Sequence, residues 1–194
     1  VNEIFLSLQG ETSCAGIPTV FIRLTGCPLR CNYCDTEYAF HEGNNLNIGE
    51  ILSKVGKYHT KNITVTGGEP LAQKNCLLLL SQLSDEGYQV SLETSGALDI
   101  SKVDKRIFKI LDLKTPGSGE ERKNRYSNLD HINQGDEIKF VICDRNDYQW
   151  AMQKLKKYQL AERCEVLFSP NKQQQSATEL TEWILEDRLP VRLQ

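Results

Sequence analysis

One loop carries most of the information in this sequence: Gly26-Cys27-Pro28-Leu29-Arg30-Cys31-Asn32-Tyr33-Cys34-Asp35-Thr36, which follows a run of apolar and β-branched residues at 19–25. The run predicts a buried strand, and the loop after it has the spacing C-x3-C-x2-C. Three thiolates this close can bind three irons of a four-iron four-sulfur cluster and leave the fourth iron open for another ligand. The alternative is a structural zinc site completed by Cys14, a histidine or a distant cysteine, but the second ligand pair typical of such sites is absent.

The rest of the chain alternates between predicted strands and helices. Six core strands are predicted at 19–25, 62–66, 89–93, 107–112, 137–143 and 164–168, with weaker ones at 2–6 and 191–194. Helices are predicted at 47–59, 70–86, 147–160 and 177–186, and 115–134 is a polar connection with at most one short helix. This alternation predicts an α/β fold with a parallel sheet, a partial, open (β/α)6 TIM-like barrel in a single domain spanning 1–194.

Composition excludes several classes of protein. Of the 194 residues, 39% are hydrophobic and 25% charged, an ordinary globular balance. The net charge of -3 gives little affinity for phosphates, so no nucleic acid is expected as a direct partner. No apolar run approaches the roughly 20 residues of a membrane span. The seven cysteines are an odd number with three in one loop, which is no disulfide framework and favours a reducing cytoplasm.

Polar segments follow three further predicted strands. They are Thr66-Gly67-Gly68-Glu69-Pro70, Glu93-Thr94-Ser95-Gly96 and Asp112-Leu113-Lys114-Thr115-Pro116. The carboxyl ends of strands in a β/α barrel face one mouth, so we expect these segments and the cysteine loop to form one site. Glycines allow close approach of the backbone to a ligand, and a carboxylate suits an ammonium group. Taken singly, each segment would be only a turn.

The cysteine loop and Gly67-Gly68-Glu69-Pro70 together resemble the radical S-adenosylmethionine (SAM) superfamily. The resemblance implies a 4Fe-4S cluster held by Cys27, Cys31 and Cys34, with SAM bound to the unique iron. It places Tyr33 against the adenine and the methionyl ammonium at Glu69. The SAM contacts that the resemblance implies are Tyr33, Cys34, Asp35, Gly67, Gly68, Glu69, Gly96, Lys139, Ser169 and Pro170.

Nearly the whole chain is similar to the 7-carboxy-7-deazaguanine synthase family of queuosine biosynthesis. The similarity rests on Ser7-Leu8-Gln9-Gly10-Glu11, Phe21 to Cys27, Cys34-Asp35-Thr36, Gly67 to Pro70, Glu93 to Gly96, Asp112 to Gly119 and Lys139 to Ile142. It implies a lyase that converts 6-carboxy-5,6,7,8-tetrahydropterin into 7-carboxy-7-deazaguanine with loss of ammonia. It also implies a flavodoxin as one-electron donor and a homodimer.

The same family resemblance implies further site residues. Thr36 would bind Mg²⁺, Arg23 would pair with a substrate carboxylate, and Thr94 would contact the substrate. The pterin edge would meet Leu8, Gln9, Gly10 and Glu11. Without the resemblance, Thr36 would be a turn cap, Arg23 part of a structural ion pair, and residues 8–11 a polar turn.

Two other functions share part of this pattern. Activators of glycyl-radical enzymes have the cysteine loop but typically continue with Asn-Pro, where this chain has Asp35-Thr36. An iron-sulfur electron carrier would need four cluster cysteines and no Gly-Gly-Glu-Pro segment. The first alternative predicts SAM cleavage without pterin turnover, and the second predicts no SAM cleavage.

Overall fold

A computed structural model describes residues 1–194, which divide into two compact units. The first unit comprises Val1–Pro28, Asp35–Thr94 and Leu98–Lys109, and the second Leu29–Cys34, Ser95–Ala97 and Ile110–Gln194. The single domain spanning 1–194 remains a prediction. No helix in the structure has both the length and the apolar character needed to cross a membrane.

The first unit is built on four strands. They are β1 (Glu3–Leu8), β2 (Pro18–Leu24), β3 (Asn62–Gly67) and β4 (Gln89–Thr94). Strand β1 runs antiparallel to β2, whereas β2, β3 and β4 are parallel neighbours in that order. Strand β2 buries side chains on both faces, including Phe21 and Ile22, as parallel strands covered on both sides do.

Two α-helices, α1 (Ile48–Val55) and α2 (Cys76–Asp85), accompany these strands. Helix α1 starts with a capping box, because Asn47 accepts from the Glu50 backbone and Glu50 accepts from the Asn47 backbone. Helix α1 is shorter than the helix predicted at 47–59. After Val55 the chain forms a 3-10 turn (Gly56–Tyr58), which ends at His59 in the left-handed conformation.

The continuous helix predicted at 70–86 is wrong. A 3-10 turn (Pro70–Ala72) comes first, and α2 begins only at Cys76. Two residues account for the break. The Glu69 side chain caps the 3-10 turn by accepting from the Leu71 amide, and the backbone of Gln73 is extended, which ends the turn. The Gln73 amide Nε2 donates to the Thr25 carbonyl at 2.9 Å.

The second unit contains four parallel strands and three α-helices. The strands are β5 (Phe108–Asp112, in this unit from Ile110), β6 (Glu137–Ile142), β7 (Glu165–Pro170) and β8 (Arg192–Leu193), paired in that order. The helices are α3 (Arg145–Lys157), α4 (Leu160–Arg163) and α5 (Ala177–Glu186). All eight strands lie within two residues of their predicted bounds, and α5 matches its prediction at both ends.

Two predictions for the second unit need correction. Residues 115–134 contain three 3-10 helices, Pro116–Ser118, Glu121–Lys123 and Tyr126–His131, where at most one was expected. Short i→i+3 turns leave no apolar periodicity to detect. Helix α3 begins at Arg145 instead of residue 147, because the Asp144 side chain caps the Asp147 amide at 2.9 Å.

Candidate active site

A buried carboxylate lies just beyond the end of β3. Glu69 is 0% exposed, and the Thr94 hydroxyl at the end of β4 donates to its Oε1 at 2.8 Å and Oε2 at 2.9 Å. The Leu71 amide donates to Oε1 at 3.1 Å. A carboxylate can be buried only when such donors compensate for lost hydration. The structure thus joins a predicted SAM residue, Glu69, to a predicted substrate residue, Thr94.

Two glycines bring the backbone that precedes Glu69 against the first cysteine. Gly67 has φ +140°, and a Cβ on Gly68 would lie 2.3 Å from the Gly26 carbonyl oxygen and 2.7 Å from Cys27 Cβ. The Glu69 amide donates to the same Gly26 carbonyl at 2.8 Å. Because no side chain fits at Gly68, the turn after β3 packs directly on the backbone leading into Cys27.

A second polar network surrounds Gln9, which is 4% exposed. Its Nε2 donates to Thr64 Oγ1 at 3.3 Å and to Glu93 Oε1 at 3.4 Å, while its Oε1 accepts from the Glu11 amide at 3.3 Å. Glu93 Oε2 also accepts from Thr66 Oγ1 at 2.7 Å. The network fixes the predicted pterin segment beside β3 and β4, while Leu8 and Gly10 stay exposed.

Glu93 and Thr66 fall in segments that the sequence predicts at the site, but the sequence pattern gives neither residue a role. Both lie next to the last residue of parallel strands, and the signal that points to them is a carboxylate one residue before the end of β4. A charged group is rarely placed on a covered strand without a polar partner. Here the partners are Thr66 and Gln9.

Arg23 belongs to neither network. It lies opposite Glu3 in the β1–β2 pair, and its Nε donates to Glu3 Oε1 at 2.7 Å. Its guanidinium also lies 5.9 Å from the Phe5 ring centroid and 5.8 Å from that of Tyr38. In this structure Arg23 therefore forms the ion pair that a purely structural role would require.

Asp35 and Thr36 at the end of the cysteine loop place two oxygen ligands side by side. The Thr36 hydroxyl donates to Asp35 Oδ1 at 2.7 Å. Since its proton is directed to the carboxylate, the lone pairs of the Thr36 oxygen remain acceptors. Mg²⁺ prefers such hard oxygen donors and keeps several waters, so this donor pair fits the ion.

In the second unit, Cys31 and Cys34 are joined by a tight turn. The Cys34 amide donates to the Cys31 carbonyl at 3.1 Å. Between them, Asn32 is held by its backbone amide, which donates to the Ser118 carbonyl at 2.9 Å, and by its Nδ2, which donates to the Gly117 carbonyl at 3.2 Å. The turn containing these two cysteines is thus fastened to the segment that follows β5.

Tyr33 packs in the same unit with Lys114 and Asp112. Lys114 Nζ lies 5.9 Å from the Tyr33 ring centroid and 2.8 Å from Asp112 Oδ2. Burial raises the pKa of Tyr33, and the Asp112 charge raises it further. Burial lowers the pKa of Lys114, but the Asp112 charge outweighs this and leaves the pKa above its usual value. The Tyr33 hydroxyl and Asp112 Oδ1 are buried without hydrogen-bond partners, which a bound ligand can supply.

The remaining predicted SAM residues also lie in the second unit. Gly96 has φ +69°, and its carbonyl accepts from the Arg125 amide at 3.3 Å and from Asn128 Nδ2 at 2.9 Å. Lys139 lies within β6 opposite Asp112. Ser169 and Pro170 end β7. All four are thus placed on or beside parallel strands.

The three loop cysteines suit an iron-sulfur cluster by their chemistry. Cys27, Cys31 and Cys34 are half-buried, and none of the seven cysteines is in a disulfide. The structure shows no group of three or more His, Cys, Asp or Glu side chains already gathered for a metal ion. The fit therefore rests on thiol donors, the turn between Cys31 and Cys34, and the close packing at Cys27.

Comparison with known proteins identifies the superfamily and the relatives that this chain matches. A model of the Radical SAM superfamily matches residues 21–161. Two proteins named 7-carboxy-7-deazaguanine synthase are similar over this entire chain. The one from Chlorobaculum tepidum is 41% identical, with 90% of its own length covered, and the one from Koribacter versatilis is 40% identical, with 92% covered.

Solved structures agree on the fold. QueE from Escherichia coli matches 100% of this chain and 91% of its own at a TM-score of 0.80 and 23% identity. SuiB from Streptococcus suis bound to precursor peptide SuiA matches 90% of this chain and 48% of its own at a TM-score of 0.65 and 13% identity. These likenesses confirm the predicted radical SAM fold class. The chain belongs to the Radical SAM superfamily and, within it, to the 7-carboxy-7-deazaguanine synthase family.

Proposed function

We propose that this protein is a lyase that contracts the ring of 6-carboxy-5,6,7,8-tetrahydropterin to 7-carboxy-7-deazaguanine with loss of ammonia, on the route to preQ0 and queuosine. The observation that carries the proposal is the 41% and 40% identity to two synthases of that name over the whole chain. The site adds support, because the predicted pterin segment and the predicted SAM carboxylate both lie at β3 and β4.

The superfamily implies a 4Fe-4S cluster and SAM, and three cysteines would hold the cluster: Cys27, Cys31 and Cys34. Bound together, these groups supply one-electron cleavage of the sulfonium and abstraction of a hydrogen atom from the pterin. The protein's own task is then to orient both substrates and exclude water. A one-electron donor is required, and the family resemblance favours a flavodoxin.

Glu69 is the residue that would accept the methionyl ammonium. Its carboxylate is buried and already held by Thr94 and the Leu71 amide, so it is oriented before the ligand arrives. An oriented carboxylate in a site of low dielectric forms a strong charge-assisted hydrogen bond. Tyr33 would contact the adenine, and its unpartnered hydroxyl is available to the ligand.

The pterin would bind along the segment after β1. Glu11 and the open backbone at Gly10 would meet its amide and amino edge, because Gln9 is occupied in holding the segment to Thr64 and Glu93. Thr94 would contribute from the end of β4. Arg23 would have to exchange Glu3 for the substrate carboxylate, which makes it a costlier ligand than a side chain without an ion-pair partner.

We assign Mg²⁺ to Thr36 with Asp35 as its neighbour, on the strength of their two adjacent oxygens. A hard cation there can bind the substrate carboxylate and orient the reacting centre. The enzyme is proposed to act in the cytoplasm, as its cysteine usage favours, and as a homodimer, as the family resemblance implies.

One anaerobic assay tests the proposal. The reconstituted chain is given a reductant, Mg²⁺, SAM and the pterin, and the products are identified by mass spectrometry. Formation of 7-carboxy-7-deazaguanine supports the synthase, whereas SAM cleavage without pterin turnover indicates a radical activase. A stable cluster that never cleaves SAM indicates an electron carrier, and a colourless protein with one metal and no sulfide indicates zinc.

Two variants separate the cofactors in that assay. Cys31→Ala should abolish cluster and activity together. Thr36→Ala should impair turnover while the cluster remains intact, because only a Mg²⁺ ligand is lost. Full activity of Thr36→Ala at limiting Mg²⁺ would exclude Thr36 from the metal site.

A further inference from the structure

A second buried carboxylate, Asp147, lies in the first turn of α3 and has no assigned role. It is 1% exposed, and its partners are all neutral donors. Oδ1 accepts from the Gly117 amide at 2.8 Å, and Oδ2 accepts from Thr115 Oγ1 at 3.0 Å and from the Cys143 amide at 3.1 Å. One carboxylate therefore joins the segment after β5 to the end of β6.

The segment at residues 115–119, here the 115–119 turn, is shaped around that carboxylate. A Cβ on Gly117 would lie 2.5 Å from Asp147 Oδ2, so only glycine allows this approach. Thr115 is fully buried, and its carbonyl accepts from both the amide and the hydroxyl of Ser118. These bonds make the turn rigid and fix the directions of the Gly117 and Ser118 carbonyls.

Those two carbonyls are the ones that hold the cysteine loop. Asn32 binds the Ser118 carbonyl through its amide and the Gly117 carbonyl through its side chain, at 2.9 and 3.2 Å. Gly119, at φ +77°, lies so close that a Cβ there would come within 3.1 Å of Asn32 Nδ2. The hydrogen bonds thus run without interruption from Asp147, through the 115–119 turn, to the residue after Cys31.

We propose that Asp147 is a positioning residue for the cluster loop: it fixes the 115–119 turn, which in turn holds Asn32 and sets the positions of Cys31 and Cys34 before a cluster binds. The inference rests on the proposed function only in taking these cysteines as cluster ligands. A loop ordered in advance loses less conformational entropy on binding, so the cluster is retained more tightly.

The principal test is Asp147→Asn. The amide has nearly the same shape, but it replaces one acceptor oxygen by a donor that faces an N–H or hydroxyl donor. Loss of a charge-assisted hydrogen bond corresponds to a factor of about ten or more. We therefore expect iron and sulfide to be lost from the anaerobically reconstituted protein about tenfold faster in the presence of a chelator, with an altered electron paramagnetic resonance spectrum of the reduced cluster.

A matched control separates positioning from general destabilisation. Ser176→Ala removes the N-cap hydroxyl of α5 in the same unit, where Ser176 Oγ accepts from the Glu179 amide and has no link to the 115–119 turn. It should lower thermal stability but leave the rate of cluster loss and the spectrum unchanged. Equal acceleration in Ser176→Ala and Asp147→Asn would overturn the inference.

Asn32→Ala tests the last link and does not threaten folding, because Asn32 is exposed. Asn32→Ala removes the side-chain bond to Gly117 and keeps the backbone bond to Ser118, so in the double variant the acceleration of cluster loss should be smaller than the two single effects combined. Additive effects would overturn the inference. Should Asp147→Asn fail to fold, unchanged cluster retention in Asn32→Ala would overturn it equally.

Hydrogen exchange on the cluster-free chain distinguishes this inference from the proposed function. Asp147→Asn should speed exchange of the Asn32 amide, which donates to Ser118, whether or not a cluster forms. Unchanged exchange at Asn32 would refute the positioning role. A wild-type chain that exchanges as expected but binds no cluster would refute the proposed function alone.

Discussion

Replacing Thr94 by valine tests whether the Glu69 carboxylate is held ready for SAM. Valine keeps the shape and the strand preference of threonine but removes the hydroxyl that donates to both carboxylate oxygens, at 2.8 and 2.9 Å. The loss leaves a fully buried carboxylate without one of the donors that compensate for its burial.

The size of the effect follows from the chemistry of that bond. One hydroxyl proton serves both oxygens, so one hydrogen bond to a charged group is lost, at a cost of about 1.5–3 kcal/mol. We expect the free energy of unfolding to fall by about 2 kcal/mol. SAM affinity should fall about tenfold, since the Leu71 amide still orients part of the carboxylate.

Anaerobic calorimetry of SAM binding to the reconstituted protein and urea unfolding of the cluster-free chain measure the two effects. Thr94→Ser is the control, because it retains the hydroxyl and should restore most of the affinity. If Thr94 acts only as a pterin contact, Thr94→Val will raise the KM for the pterin and leave SAM binding unchanged. That result, with wild-type stability, would refute the coupling to Glu69.

Three further predictions concern other parts of the chain. Gly68→Ala should prevent stable cluster assembly, measured as iron per chain, because its Cβ would lie 2.7 Å from Cys27 Cβ; normal iron content would contradict the packing. Glu93→Gln should raise the KM for the pterin severalfold but leave SAM affinity unchanged, since it weakens only the network that holds the pterin segment; an unchanged KM would exclude that role. Hydrogen bonds from Arg106 lower the pKa of Asp104 to about 2, so their contribution to stability is present above the usual value of 3.8 and is lost as the pH falls toward 2. In Arg106→Gln, the Asp104 pKa followed by NMR should return toward 3.8, and a value that stays near 2 would show another cause.

The strands and much of the site chemistry could be predicted from sequence because each depends on a short local pattern. The buried β-branched run of β3, which ends at Gly67, marks both a covered strand and the place where a ligand can approach. The cysteine spacing and Glu69 carry their chemistry in a few adjacent residues. Their placement at strand ends follows from the architecture of the fold.

The long-range networks could not be predicted in this way. Nothing near Asp147 in sequence shows that it binds Gly117, 30 residues away, or that Gly117 then holds Asn32. The interrupted helix after Glu69 has the same origin, since the break depends on Gln73 reaching the Thr25 carbonyl. Tertiary hydrogen bonds override the helical periodicity at 70–75, and a single sequence contains no record of them.

Side chains alternate in direction along β4, and this alternation separates the Gln9–Glu93 network from the Glu69–Thr94 pair. The family resemblance places both in one site. Successive residues of a strand point to opposite faces, so Glu93 and Thr94 leave β4 in opposite directions. Glu93 meets Thr66 and the Gln9 amide, whereas Thr94 meets Glu69. The pterin segment and the SAM carboxylate are thus positioned by adjacent residues of one strand that face opposite sides of it. The losses of unfolding free energy in Thr94→Val and Glu93→Gln should therefore add within about 0.5 kcal/mol in the double variant, measured in urea. A larger deviation would show that β4 transmits the state of one binding site to the other.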